Sequence, residues 1–253
     1  MNPTPAATAP PLPAATAPHL PAATAPPTPA SLAATSLIDS DHPLIISFAQ
    51  RHGHGGDDRE RAVALYLAVR DGFRYDPYHF DITPYGMRAS TVLAINKGWC
   101  VPKAALLAAL CRAAGIPARL GYADVRNHLS TDRMRRSMQT DMFIWHGYTD
   151  IWIDGAWRKA TPAFNIELCE RFGLLPLDFN GHDDSIYHPF DRAGNKHMEY
   201  VRQRGSFDDM PLAQITVDFE AFYPLMLAYC RALLAKTEVA DFQADVQRET
   251  RRA

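Results

Sequence analysis

The residues whose types and spacing could do chemistry are Cys100 and His146. Cys100 lies in Lys97-Gly98-Trp99-Cys100-Val101-Pro102-Lys103, where a loop passes into an apolar helix and puts the cysteine in its first turn. There the positive end of the helix macrodipole and the unpaired backbone N–H groups favour thiolate over thiol, which suits a nucleophile. Cysteine catalysis also needs a base to draw the thiol proton, a group to orient that base, and donors for the oxyanion. His146, 46 positions after Cys100 in a segment patterned as a strand, is the candidate base. The backbone N–H of Cys100 is the candidate oxyanion donor, with Trp99 either lining the site or packing beside it.

The elements that must hold these residues follow from periodicity. Apolar residues at helical spacing over 44–49 and 59–70 predict two leading helices, and 89–95 predicts a third. The segment 101–114 is apolar on nearly every face and ends at Gly115-Ile116-Pro117, as a central buried helix does. Residues 119–125 and 142–153 read as strands, and the turn at Asp154-Gly155 makes 157–162 a hairpin partner for the second, so an antiparallel, meandering sheet is expected. In 142–153 the period of two puts Ile144, His146, Tyr148, Asp150 and Trp152 on one face. The polar connection 126–141 is long enough to be a lid, a substrate rim or a solvated insertion. The stretches 217–234 and 241–251 are helical by periodicity.

Other chemistry-bearing residues have plainer readings. Cys111 lies in the apolar interior of the Cys100 helix, where a cysteine serves as a small hydrophobe. His52-Gly-His54-Gly-Gly-Asp57-Asp58 reads as a solvated loop that caps the next helix rather than as a metal cluster. The histidines and aspartates between Gly181 and His197 match no metal-ligand spacing, and no acidic loop has the form of a calcium site. No metal or other cofactor is called for.

One set of motifs carries a resemblance. Gly98-Trp-Cys100, the helix closing in Cys111-Arg-Ala-Ala-Gly115-Ile-Pro-Ala-Arg119-Leu-Gly121, and His146-Gly-Tyr-Thr-Asp150-Ile-Trp-Ile-Asp-Gly155-Ala-Trp157 resemble the transglutaminase-like superfamily across 89–165. The resemblance implies an α+β, papain-like transglutaminase core, with the Cys-bearing helix packed on an antiparallel sheet and flanked by further helices. It implies Cys100 as nucleophile and His146 as base, with Tyr148 lining the site where relatives carry tryptophan and Asp150 where they carry glutamate. Where relatives carry an orienting aspartate, four residues after Trp157, this chain has Thr161. A threonine hydroxyl can accept from imidazole but brings no charge; Asn165 is the alternative orienter if the turn after Pro162 brings it round. The expected activity is cysteine-dependent acyl transfer or amide hydrolysis on a peptide or protein amide. A weak or inactive peptide- or partner-binding module on the same fold is the alternative.

Composition bounds the rest. With 253 residues, 47% hydrophobic and 21% charged, the chain is globular in its bulk. A net charge of -2 gives no basic surplus for nucleic acid, and no stretch approaches the ~20 apolar residues that span a bilayer. Four widely spaced cysteines without a CxxC pattern suggest a reducing compartment, hence the cytoplasm. The repeat Pro-Ala-Ala-Thr-Ala-Pro, beginning at Pro5, Pro13 and Pro21, has too little to bury and predicts an extended or disordered tail over 1–36. A core over 37–205 and a C-terminal helical extension over 206–253 complete the expected division.

Overall fold

The computed structural model describes residues 25–128, 130–186, 191–195, 197–235 and 241–250, so residues 1–24 of the repeat tail lie outside the described residues. Helix α1 (Pro43–His52) opens on a proline, with the His42 side chain accepting from Leu44 N–H. Helix α2 (Asp58–Gly72) is capped by Asp57, which accepts from Glu60 N–H at 2.8 Å, as the capping reading of that loop expects. Strand β1 (Arg74–Tyr75) pairs in parallel with β2 (Lys97–Gly98), and helices α3 (Pro84–Met87) and α4 (Ala89–Ile95) lie between them in the chain.

Helix α5 (Cys100–Ala113) is the centre of the molecule: every residue from Cys100 to Arg112 is buried. It touches α1, α2 and α4 as well as strands β3 (Ala118–Asn127) and β4 (Met142–Ile153). With β5 (Ala156–Ala160) and β6 (Met198–Phe207) these strands form an antiparallel sheet of order β5-β4-β3-β6. The fold is α+β, with the Cys-bearing helix packed on that sheet. The meander holds for β3, β4 and β5, whereas β6 returns to the opposite edge beside β3.

Three elements depart from the sequence expectation. The connection 126–141 folds into helix α6 (Asp132–Met138), whose Thr131 cap accepts from Met134 N–H. Strand β6 is half-exposed along its length, so it lacks the apolar alternation that would announce it. The stretch 217–234 divides into α8 (Leu212–Phe222) and α9 (Pro224–Ala235) because Pro224 disfavours helical backbone at Tyr223, whose ψ is 48°. Helix α7 (Ile166–Phe172) follows β5, and α10 (Phe242–Thr250) closes the described chain.

The motif residues outside the site tie the core together. Arg112 donates to the carbonyls of Ala118, Ala33 and Asp208, joining α5 to β3, the N-terminal segment and the chain after β6. Arg119 pairs with Asp150 at 3.1 Å while its guanidinium lies 4.1 Å from the Trp157 ring. Lys103, one turn after Cys100, has no exposed surface and donates to the carbonyls of Arg70, Phe73 and Ala163 at 3.0, 2.6 and 2.8 Å. Burial draws its pKa down to about 7. This tripod fastens the start of α5 to the end of α2, the approach to β1 and the turn after β5. Lys103→Met leaves three buried carbonyls without their donor and should cost about 3 kcal/mol or more, measured by chemical denaturation.

Candidate active site

Trp99 occupies the N-cap position of α5 in extended conformation, with Cys100 as the first helical residue. The Cys100 thiol faces the backbone N–H groups of Gly147, Val101 and Cys100 itself. Two of these are orphan donors of the first helical turn, and the third belongs to β4. Its approach depends on glycine: a Cβ at position 147 would lie 3.0 Å from Val101 Cα and 3.1 Å from its Cγ2. Two residues further along the strand, Thr149 Oγ1 donates to the Ala104 carbonyl at 2.9 Å, so β4 runs close along α5.

His146, beside Gly147, lines the same small cavity as Cys100, with a free volume of ≈ 30 Å³. Its position follows from a bulge. Ala123 pairs with His146 and Val125 with Phe143, so β4 carries one residue more than β3 across this step. Trp145 absorbs it with a φ of 58°, a left-handed conformation rare for a bulky residue. The Asp124 carboxylate accepts from Trp145 N–H at 3.0 Å, and Asp218 accepts from the Trp145 indole at 2.7 Å. Arg204 bonds both carboxylates and stacks 4.4 Å from the indole ring. Buried charge in this arrangement is paired, as it must be.

The rest of the wall is apolar. Trp99, Phe80 and Phe219 pack with ring centroids 4.5–5.9 Å apart. Met134 and Met138 arrive from α6, and Met226 from α9. Tyr223 adds a ring whose hydroxyl accepts from Ile144 N–H and donates to the Met142 carbonyl. None of these residues apart from Trp99 is legible as site-lining in the sequence, because three helices bring them from distant positions. Gly147 carries a sequence signal: a glycine inside a strand often marks close backbone approach.

Of the other candidates, Tyr148 lies outside the wall, its hydroxyl donating to Gln203 and its ring crossing Gly121. Thr161 is buried, its carbonyl accepting from Tyr66, and its Oγ1 has no hydrogen-bond partner among the described residues. Asn165 stands at the N-cap position of α7 without a side-chain capping bond; instead its amide accepts from Tyr75 N–H at 3.2 Å and donates to Glu167. Neither Thr161 nor Asn165 forms part of the cavity wall. Among the described residues no group of histidines, cysteines and acids is placed to hold a metal ion.

Burial dominates the electrostatics. It pushes the Cys100 thiol up to about 11 against the opposing pull of the three N–H groups, and pushes the His146 imidazole down to about 4. The helix terminus alone favours thiolate, but desolvation outweighs it here. Near neutral pH both groups in this small cavity are therefore uncharged. Two consequences can be measured. Alkylation of Cys100 by iodoacetamide should rise with an apparent pKa near 11, well above the ~8.5 of a free thiol. Gly147→Ala should part α5 from β4, costing about 1–3 kcal/mol by thermal or chemical denaturation and exposing the thiol to faster alkylation at pH 8.

Residues 46–162 match the family model of the transglutaminase-like superfamily. No curated protein matches the chain. Among solved structures, a candidate cysteine protease from Cytophaga hutchinsonii is similar at 20% identity over 52% of this chain and 40% of that one, with a TM-score of 0.39. A candidate protease from Parabacteroides distasonis ATCC 8503 is similar at 20% identity over 50% of this chain and 26% of that one, with a TM-score of 0.34. The chain thus spans less than half the length of either. The sequence match over 46–162 carries the assignment: this part of the chain is a domain of the transglutaminase-like superfamily.

Proposed function

We propose that the chain is a cysteine-dependent acyl-transfer or amide-hydrolysing enzyme acting through Cys100 and His146. The observation that carries this reading is one cavity lined by both side chains, with the thiol against the N–H groups of Val101 and Gly147. In the reaction His146 takes the thiol proton, the sulfur attacks an amide carbonyl, and His146 returns the proton to the leaving amine. Water or an amine then resolves the thioester. Thr161 Oγ1, which has no hydrogen-bond partner among the described residues, is the better candidate to orient the imidazole; the Asn165 amide is engaged by Tyr75 and Glu167. The core over 37–205 supplies the pair, and the extension over 206–253 adds Phe219, Tyr223 and Met226 to the cavity wall. No described helix is long and apolar enough to cross a membrane; a cytoplasmic setting belongs to this proposal.

The small cavity and its uncharged pair favour a second reading, a weak or inactive module that binds peptides on the same fold. Profiling with acyl-donor peptides, in the presence and absence of a free amine, separates the two. The enzyme reading expects turnover in the wild type that Cys100→Ala and His146→Ala abolish, and a drop for Thr161→Ala far exceeding that for Asn165→Ala. Peptide binding without Cys100-dependent product supports the module.

A further inference from the structure

The N-terminal repeat places an Ala-Pro junction at 9–10, 17–18 and 25–26, and the full tripeptide Ala-Pro-Pro at 9–11 and 25–27. A residue before proline is driven to extended backbone and each proline fixes its own φ, so such a tripeptide enters a polyproline-II helix at little entropic cost. That helix makes no internal hydrogen bonds, which leaves its carbonyls free for an outside donor. The first two junctions lie outside the described residues; the third meets the folded core at Trp157.

The Trp157 indole N–H donates to the Ala25 carbonyl at 2.7 Å. Ala25 and Pro27 are half-buried, and Pro26 between them is exposed. Two neighbours hold the receiving ring: the Arg119 guanidinium lies 4.1 Å from its centroid, and Trp152 packs edge-on at 5.3 Å. Asp150 pairs with Arg119 at 3.1 Å and also accepts from Ser206, so the support of the ring reaches across β4, β3 and β6. Downstream, the chain enters the core at Ser31, which is buried, and at Ala33, whose carbonyl accepts from Arg112. A fixed aromatic ring whose edge donor takes the carbonyl before a proline is the means by which aromatic grooves read polyproline-II segments.

We propose that Trp157, backed by Arg119 and Trp152, is a docking site for the Ala-Pro-Pro segment of the chain's own N-terminal repeat. Recognition rests on the extended form that the prolines impose and on the carbonyl that precedes them. The contact lies on β5 at the edge of the sheet and uses no residue of the Cys100 cavity, so it stands whether or not Cys100 is catalytic. Ser31 follows Ala25 by six positions. So short a tether gives the third repeat a local concentration on the order of millimolar, which makes it the resident occupant and leaves room for a free repeat peptide only once it is withdrawn.

The test follows the Trp157 indole N–H by NMR in the isotope-labelled full chain, the resonance being assigned with Trp157→Phe. A variant carrying Pro10→Gly, Pro11→Gly, Pro18→Gly, Pro26→Gly and Pro27→Gly keeps the tail and its length but removes the conformational bias of every junction. The expected result is hydrogen exchange of that N–H about 10-fold faster in the variant than in the wild type. The synthetic peptide Pro-Ala-Ala-Thr-Ala-Pro-Pro, added to the variant at about millimolar concentration, should return the resonance and its protection to the wild-type values. The same peptide with glycine for its last two prolines should not. Unchanged exchange in the variant, a resonance that the proline peptide leaves unmoved, or an equal response to the glycine peptide each overturns the proposal.

Discussion

The close passage of strand β4 over the first turn of α5 is the constraint on which the site depends. Backbone meets backbone there because Gly147 offers no Cβ to Val101, and the contact gives the Cys100 sulfur a third N–H neighbour. The Thr149 bond to the Ala104 carbonyl continues it along the helix. From the other direction, the Lys103 tripod fastens the same turn of α5 to α2, β1 and the 163 turn. Cys100 thus sits at a junction clamped from both sides, where a shift of a few tenths of an ångström has nowhere to relax.

The same clamping has an electrostatic consequence. A helix N-terminus offers a thiolate partial positive charge, worth a modest amount at an exposed site. Burying that terminus beneath aromatic and methionine side chains strips away much of the water that a charge would need, and this cost is the larger effect. The cavity therefore holds a neutral thiol and a neutral imidazole at rest. Proton transfer between them becomes favourable only when polar groups of a substrate, or water, enter the space now walled by Met134, Met138 and Met226.

His146 reaches the cavity through strain accommodated elsewhere. A regular strand would carry the alternation of 147, 149 and 151 straight through to 143, but the extra residue at the bulge breaks the pattern and leaves Phe143, Ile144 and His146 all on the cavity wall. Trp145 takes the unfavourable φ, and the Asp124, Arg204 and Asp218 cluster holds it by its N–H, its indole and its ring face. Ion pairs of this buried kind add little net stability, but they can specify one backbone conformation against its alternatives.

The sequence by itself determined the centre of the protein. The all-round apolar helix, the cysteine at its start, the strand with His146, and the hairpin at Asp154-Gly155 are local patterns whose period or turn chemistry needs no partner to be legible. It also pointed to Asn165, though as a partner for His146, and in the structure that amide bonds Tyr75. Strand β6 was not legible because an edge strand with one bare face and two bulges has no clean alternation. The cavity wall was not legible either: Tyr75, Phe143, Met134, Phe219 and Met226 are ordinary apolar residues in their own segments. Only tertiary packing decided that they meet over Cys100, and therefore that the thiol is desolvated, because burial and its pKa cost are properties of the whole fold and not of any stretch of chain.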